Sequence, residues 1–254
     1  MKFEVHLPCD QLLPYVKHLA ISENENSAAY KVLPGTALVI GFQYRGKLSY
    51  TDNGQETPLA TAGITGLRES CRIFKNTAGI GSVLVFFREN GAARFLHNPL
   101  HELFGKSLSL DHFFDRSILS EVEERLALAT NDQARIRSVE NFLVDQLNAQ
   151  HPDILVNRAL EHIHASKGTI RMKELAILLN TSASPLEKRF RQEVGASPKK
   201  FSMIVRVQNV LAAMENGRQH YAEYLSNYYD QAHFIKDFKK FASITPEQYL
   251  KNLK

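Results

Sequence analysis

Two different periods of hydrophobic residues divide the chain. In the first third, ALVIGFQY (37–44) and SVLVFFRE (82–89) are compact apolar, β-branched and aromatic runs. They are separated by the turn formers PG (34–35), DNG (52–54), AG (62–63) and AGIG (78–81), the pattern of short strands in a β-rich region up to about residue 90. QLLPYVKHLA, near the start, fits either a short helix or an edge segment. From about residue 117 the period lengthens to that of a helix. Ile118, Val122, Leu126 and Ala129 make one stripe; Ile136, Val139, Leu143 and Leu147 make a second after a break at TND (130–132). HP (151–152) marks a boundary, and helices resume near Ile154.

The last hundred residues carry a more specific rhythm. TIRMKELAILL (169–179) predicts a helix with Ile170, Leu175 and Leu178 or Leu179 inward, and with the small Ala176 at a close crossing. Asn180 follows where a left-handed residue suits a tight turn. Ser182 is placed to cap a second helix, ASPLEKRFRQEV, with Pro185 in its first turn and Leu186, Phe190 and Val194 on its buried stripe. Gly195 ends it, and Ser197-Pro198 starts a third. The layout recurs: HYAEYLSN (220–227) predicts a helix, Asn227 and the Tyr228-Tyr229 pair a turn, and Asp230 caps a helix with Phe234, Phe238 and Phe241 on one face. KKFSMIVRVQNVLAAM (199–214) is a long amphipathic stretch between the two units. Two short helix-turn-helix layouts on one frame suit DNA, whose successive major-groove segments on one face lie about 34 Å apart.

Charge is distributed in keeping with that division. From His151 onward, 16 Lys and Arg stand against 10 Asp and Glu, a net of +6; the first 150 residues hold 15 against 17, a net of −2. The whole-chain charge of +4 therefore conceals a basic C-terminal part suited to a polyanion. A chain of 254 residues predicts about two domains. The N-terminus lacks the uninterrupted apolar region of a signal peptide, no apolar run is of membrane-spanning length, and the two thiols, Cys9 and Cys71, lack metal-ligand spacing. A cytoplasmic, disulfide-free protein is the expectation.

The segments ELAILLNTSASPLEKRFRQEVGASPKKF (174–201), Arg206 and YYDQAHFIKDFKKFASITPEQY (228–249) resemble the AraC/XylS transcription regulators, over about residues 155–254. Leu186, Arg189, Phe190, Gly195, Ser197-Pro198, Asp230, Phe234, Phe238, Lys239 and Thr245-Pro246 stand at that family's spacing. VLPGTALVIGFQY, FFRENGAARFL and NPLHELFG resemble, more loosely, the sensor-type domains of one branch. The chain departs from the pattern at Asn180, Asn227 and Ser243, where glycine is usual, and at Val210, where alanine is usual. The resemblance implies an α+β fold: a β-rich cupin-like barrel with linking helices over 1–150, then an all-α double helix-turn-helix domain over 151–254. It implies double-stranded DNA as partner, with RNA polymerase, a small-molecule effector and a second copy of the chain as further candidates, and no membrane.

Carried over by motif position, Ser184, Glu187 and Lys188 face base edges from the first reading helix, with Arg191 nearer the backbone. From the second, Gln231, His233 and Lys236 face bases and Lys240 lies near phosphate. The chemistry suits these roles: Lys donates to guanine acceptors, Gln bridges adenine, and Glu accepts from the cytosine amino group. The plainer roles are a Glu187 pair with Lys188 or Arg191, a Ser184 that only steadies the first turn, and a solvated His233. Arg189 and Arg206 are assigned to structure. No catalytic residue or cofactor is expected, because nucleophile-elbow, P-loop and dinucleotide fingerprints are absent. A His-ligated metal in the barrel is disfavoured, since no histidine occurs between His18 and His97; His97 and His101, at i and i+4, are an incidental pair. The alternative function is a small-molecule-binding or catalytic barrel whose helical part is an interaction module.

Overall fold

The computed structural model describes residues 1–52, 54–148, 152–215 and 231–252. Ten strands come first: β1 (Lys2–His6), β2 (Val16–Asn24), β3 (Ala28–Val32), β4 (Val39–Arg45), β5 (Leu48–Asp52), β6 (Gln55–Pro58), β7 (Ala62–Thr65), β8 (Arg72–Asn76), β9 (Ile80–Phe87) and β10 (Ser107–Ser109). They form two antiparallel sheets, ordered β1-β2-β9-β4-β7-β10 and β3-β8-β5-β6. The two apolar runs are β4 and β9, paired to each other with Val39 opposite Phe86 and Ile40 opposite Val85.

The large sheet is apolar on both faces, which explains why its strands lack clean alternation. Ile40 and Phe42 of β4, and Val83, Val85 and Phe87 of β9, are buried on one face. Val39, Gly41 and Gln43 of β4, with Ser82, Leu84 and Phe86 of β9, line a cavity on the other face, and Tyr30, Val32, Leu48 and Phe74 of the small sheet line it too. QLLPYVKHLA is neither a helix nor an edge segment. Its first half is a turn, with Leu12 N–H donating to Cys9 O at 2.9 Å and Val16 N–H to Leu12 O at 2.8 Å. Its second half opens β2, an interior strand between β1 and β9. Burial overrides local ambiguity here, for Leu12, Val16, Leu19, Ala20 and Ile21 are all inaccessible.

Helices α1 (Arg116–Leu128) and α2 (Asp132–Asp145) pack against the large sheet, with Phe142 edge-on to Phe42 at 5.6 Å. Val122, Leu126, Ile136, Val139 and Leu143 of the predicted stripes are buried within the chain itself, joined by Leu119 and Phe142; Ile118 is half-buried, and Ala129 and Leu147 lie past the ends of α1 and α2. Asn131, in the predicted break, caps α2 by accepting from Ala134 N–H at 2.9 Å.

The remaining helices among the described residues are α3 (Ile154–Ala165), α4 (Met172–Leu178), α5 (Ala183–Val194), α6 (Pro198–Glu215), α7 (Gln231–Ala242) and α8 (Pro246–Asn252). α6 is buried on two sides. Phe201 and Val205 enter a core with Leu175, Leu186, Phe190 and Val194, continuous with the core behind the large sheet. Ile204, Val207, Val210, Leu211 and Met214 enter a second core with Phe234, Phe238 and Phe241. The bulky Val210 is accommodated there without exposure. Tyr249 of α8 ties back by donating to Glu215 Oε1 at 2.5 Å; burial and then that carboxylate push the Tyr249 phenol up to about 12. Phe190 is fully buried and edge-on to Phe201 at 5.6 Å, so Phe190→Ala should cost about 3–5 kcal/mol of stability, measured by urea unfolding.

Candidate nucleic-acid interface

The first unit has the predicted geometry at its turn. Asn180 is left-handed at φ 47°, and Thr181 N–H closes the turn onto Ala176 O at 3.0 Å. α4 begins at Met172 rather than Thr169, and Leu179, not the half-exposed Leu178, packs inward. Ser182 occupies the N-cap position of α5 with extended backbone, but its hydroxyl makes no capping bond, so its contribution is conformational. Gly195 ends the helix at φ 91°. With Leu186, Phe190 and Val194 inward, Ser184, Glu187, Lys188 and Arg191 are exposed. These four line one shallow depression together with His101 and Gln192. Glu187 pairs with Arg191 at 3.7 Å, the plainer role expected for it.

In the second unit, residues 220–227, Asn227, the tyrosine pair and the Asp230 cap lie outside the described residues. α7 begins at Gln231, and Phe234, Phe238 and Phe241 form its fully buried stripe as predicted. Gln231 and His233 belong to α7 by position, but their side chains are outside the described set. Lys236 is exposed. Ser243, just past the helix, is left-handed at φ 59°, the conformation that a glycine usually supplies there.

Lys240 is not free. Its Nζ sits 2.5 Å from Glu69 Oε2, and Lys200 Nζ of α6 sits 3.5 Å from the other oxygen. Burial opposes ionisation of Glu69, but Lys240 and then Lys200 overcome it and hold the carboxyl below its usual range. Glu69 lies in the connection 66–71 between β7 and β8, which also grips the end of α7. Cys71 N–H donates to Phe241 O at 2.9 Å, and Cys71 Sγ lies 2.9 Å from Ser243 Oγ. At the first unit, the turns at Gly91–Arg94 and Leu100–Leu103 pack against α5, where Arg94 pairs with Glu193. His97 lies in a bend between these turns, so the His97–His101 spacing is not helical. Among the described residues, no group of three or more His, Cys, Asp or Glu is arranged to hold a metal.

Arg189 is structural, as expected: Nε and Nη2 fork onto Asp153 at 2.5 and 2.7 Å. Asp153 also caps α3, accepting from Leu155 N–H and Val156 N–H. Sequence patterns signalled the boundary beside Asp153, but not its pairing with a residue 36 positions on. Glu69 and Glu193 gave no signal at all, because acids that meet a helix across the fold have no local periodicity.

A helix-turn-helix domain model matches residues 175–252. The chain carries a helix-turn-helix domain over those residues. The Msm operon regulatory protein of Streptococcus mutans is 27% identical over 158 residues, covering 60% of this chain. The match spans 56% of that relative, little more than half its length. ToxT from Vibrio cholerae is similar over 93% of this chain and 97% of its own, at 16% identity and a TM-score of 0.45. The C-terminal domain of AraT, a response regulator from Geobacillus stearothermophilus, is 23% identical over 41% of this chain and 88% of its own, with a TM-score of 0.38. No helix among the described residues is long and apolar enough to cross a membrane.

α5 is tied to the start of α3 through the Arg189 side chain on Asp153. Asp153→Ala should cost about 1–2 kcal/mol in urea unfolding, mainly through the lost cap; the half-exposed ion pair adds little.

Proposed function

We propose that this chain is a sequence-specific DNA-binding transcription regulator. In this reading residues 151–254 read DNA and residues 1–150 modulate that reading in response to a small molecule held between the two sheets. The observation that carries it is the mounting of α5 and α7 on α6 through two separate cores, each helix with an aromatic-anchored buried stripe and exposed basic residues. Such a frame fixes two helices for adjacent major-groove segments.

Ser184, Glu187 and Lys188 are assigned to bases and Arg191 to the backbone of one segment. Gln231, His233 and Lys236 are assigned to bases of the next, with Lys240 on its phosphate. Selection from a randomised duplex pool tests the reading: it should enrich a split site with two motifs about one helical turn apart. Lys188→Ala and Lys236→Ala should each relax specificity at one motif only, with losses of about 1–3 kcal/mol. No enrichment by the full chain, and none by residues 151–254 alone, would sink the regulator reading and favour a barrel with an interaction module.

The Glu69 contact generates a separate expectation. Phosphate and Glu69 compete for Lys240, so Glu69→Gln should tighten DNA binding several-fold and steepen its salt dependence by about one released ion. Fluorescence anisotropy titrations between about 50 and 200 mM salt measure both. Unchanged affinity and slope would show that Lys240 does not reach phosphate.

A further inference from the structure

We propose that the cavity between the two sheets selects organic anions with an apolar body, and that Arg68 binds the charged head. The inference rests on the reading of the cavity as a small-molecule site and names the chemistry it takes.

The cavity holds about 590 Å³, room for a small organic molecule. Its walls are mainly apolar, with Val32, Val39, Phe74, Leu84 and Phe86 among them. No aspartate or glutamate lines it, whereas Lys17 and Arg68 do. Lys17 is exposed and keeps its water. Arg68 is only 9% accessible. Its known contacts are weak for a guanidinium: Nη2 donates to Val32 O at 3.3 Å, and the group lies 5.6 Å from the Phe74 ring centre. Nε is buried without an acceptor, and no carboxylate of the described residues pairs with the group. Burial, and then the charge of Arg72, push the Arg68 pKa down to about 10, still far above neutrality. The cavity wall therefore presents a desolvated cation with unused donors, and a carboxylate or sulfonate supplies both the missing charge and the missing acceptors.

The two amide side chains of the wall are already engaged and carry no charge to supply this role. Gln43 donates to Ala60 O at 2.6 Å and accepts from Leu48 N–H at 2.7 Å. Gln208, which reaches the cavity from α6, donates to Pro34 O at 3.0 Å. His18 lies against Phe86 at 4.5 Å, and burial, then Lys17, keep its pKa depressed, so it adds no charge near neutrality.

Arg68 is also placed to make occupancy felt. The connection that carries it bears Glu69, which holds Lys240 and Lys200, and Cys71, which holds the end of α7. Its start is pinned: Gly66 N–H donates to Lys106 O at 3.0 Å, and a Cβ on Gly66 would lie 2.1 Å from Leu103 O. An anionic head on Arg68 thus bears on a connection clamped at one end and attached to the second reading helix at the other.

The test uses the full chain and two fluorescent probes, anionic 1-anilinonaphthalene-8-sulfonate and neutral N-phenyl-1-naphthylamine. Both should bind the wild-type chain. Arg68→Met should weaken the anionic probe by about tenfold or more while leaving the neutral one nearly unchanged, and Arg68→Lys should restore part of the loss. Retained neutral-probe binding shows that the variant cavity is intact. Leu84→Trp, which fills the cavity from β9, should remove both signals. Equal effects of Arg68→Met on the two probes would overturn the anion site and leave the small-molecule reading standing. An anionic-probe signal that survives Leu84→Trp would also overturn the anion site. Failure of both probes on the wild-type chain would overturn the cavity reading and the anion site together.

Discussion

The structure depends most on the two-sided burial of α6. An 18-residue helix is about 27 Å long, and this one gives one side to the core around Phe190 and another to the core around Phe238. Neither reading helix could keep its exposed face in a fixed direction without it. α5 is amphipathic, with only Leu186, Phe190 and Val194 buried, and isolated helices of such length are marginal in water. The orientation of α7 rests on the same principle through its three phenylalanines. Interdigitated aromatic packing of this kind is discrete rather than continuously deformable. The two units are therefore expected to keep a defined spacing, which is what a reader of two groove segments requires.

Around that frame, contacts from the β-rich part reach both units by separate routes. The first unit is touched by the turns at 91–94 and 100–103, including the Arg94–Glu193 pair. The second is touched by the connection 66–71, through Glu69 and Cys71. The linking helices α1 and α2 instead spend their apolar residues on each other and on the large sheet. A small molecule in the cavity can alter DNA reading only by binding two arrangements of these contacts with different affinity. The connection 66–71 borders the cavity and the second unit at once, as does Leu33, which lines the cavity and packs on the core of α7.

Much of this was legible in the chain because the relevant forces are local. The stripes of α5 and α7, the left-handed Asn180 and the Gly195 stop follow from helix period and backbone sterics, and all appear where expected. β4 and β9 were legible as concentrated apolar runs. β2 was not, because its apolar residues abut a turn with the same composition, and only pairing between β1 and β9 decides its state. The hydroxyl of Ser182 was expected to bond and does not, since residue type specifies a cap position better than a hydrogen bond. The acids that meet the reading helices, Glu69 and Glu193, were invisible for a stronger reason. Their partners lie 171 and 99 positions away, and no periodicity spans such a separation. Arg68 belongs to the same class: its meaning comes from a cavity that exists only after two sheets have closed on it.

Hydroxyl-radical footprinting of the full chain on a bound duplex reports the spacing and facing of the two units without altering any residue. Two protected patches on one face of the DNA are expected, centred about 10 base pairs apart. A single patch, or two on opposite faces, would contradict the claim that α6 holds two reading helices for successive segments of the major groove.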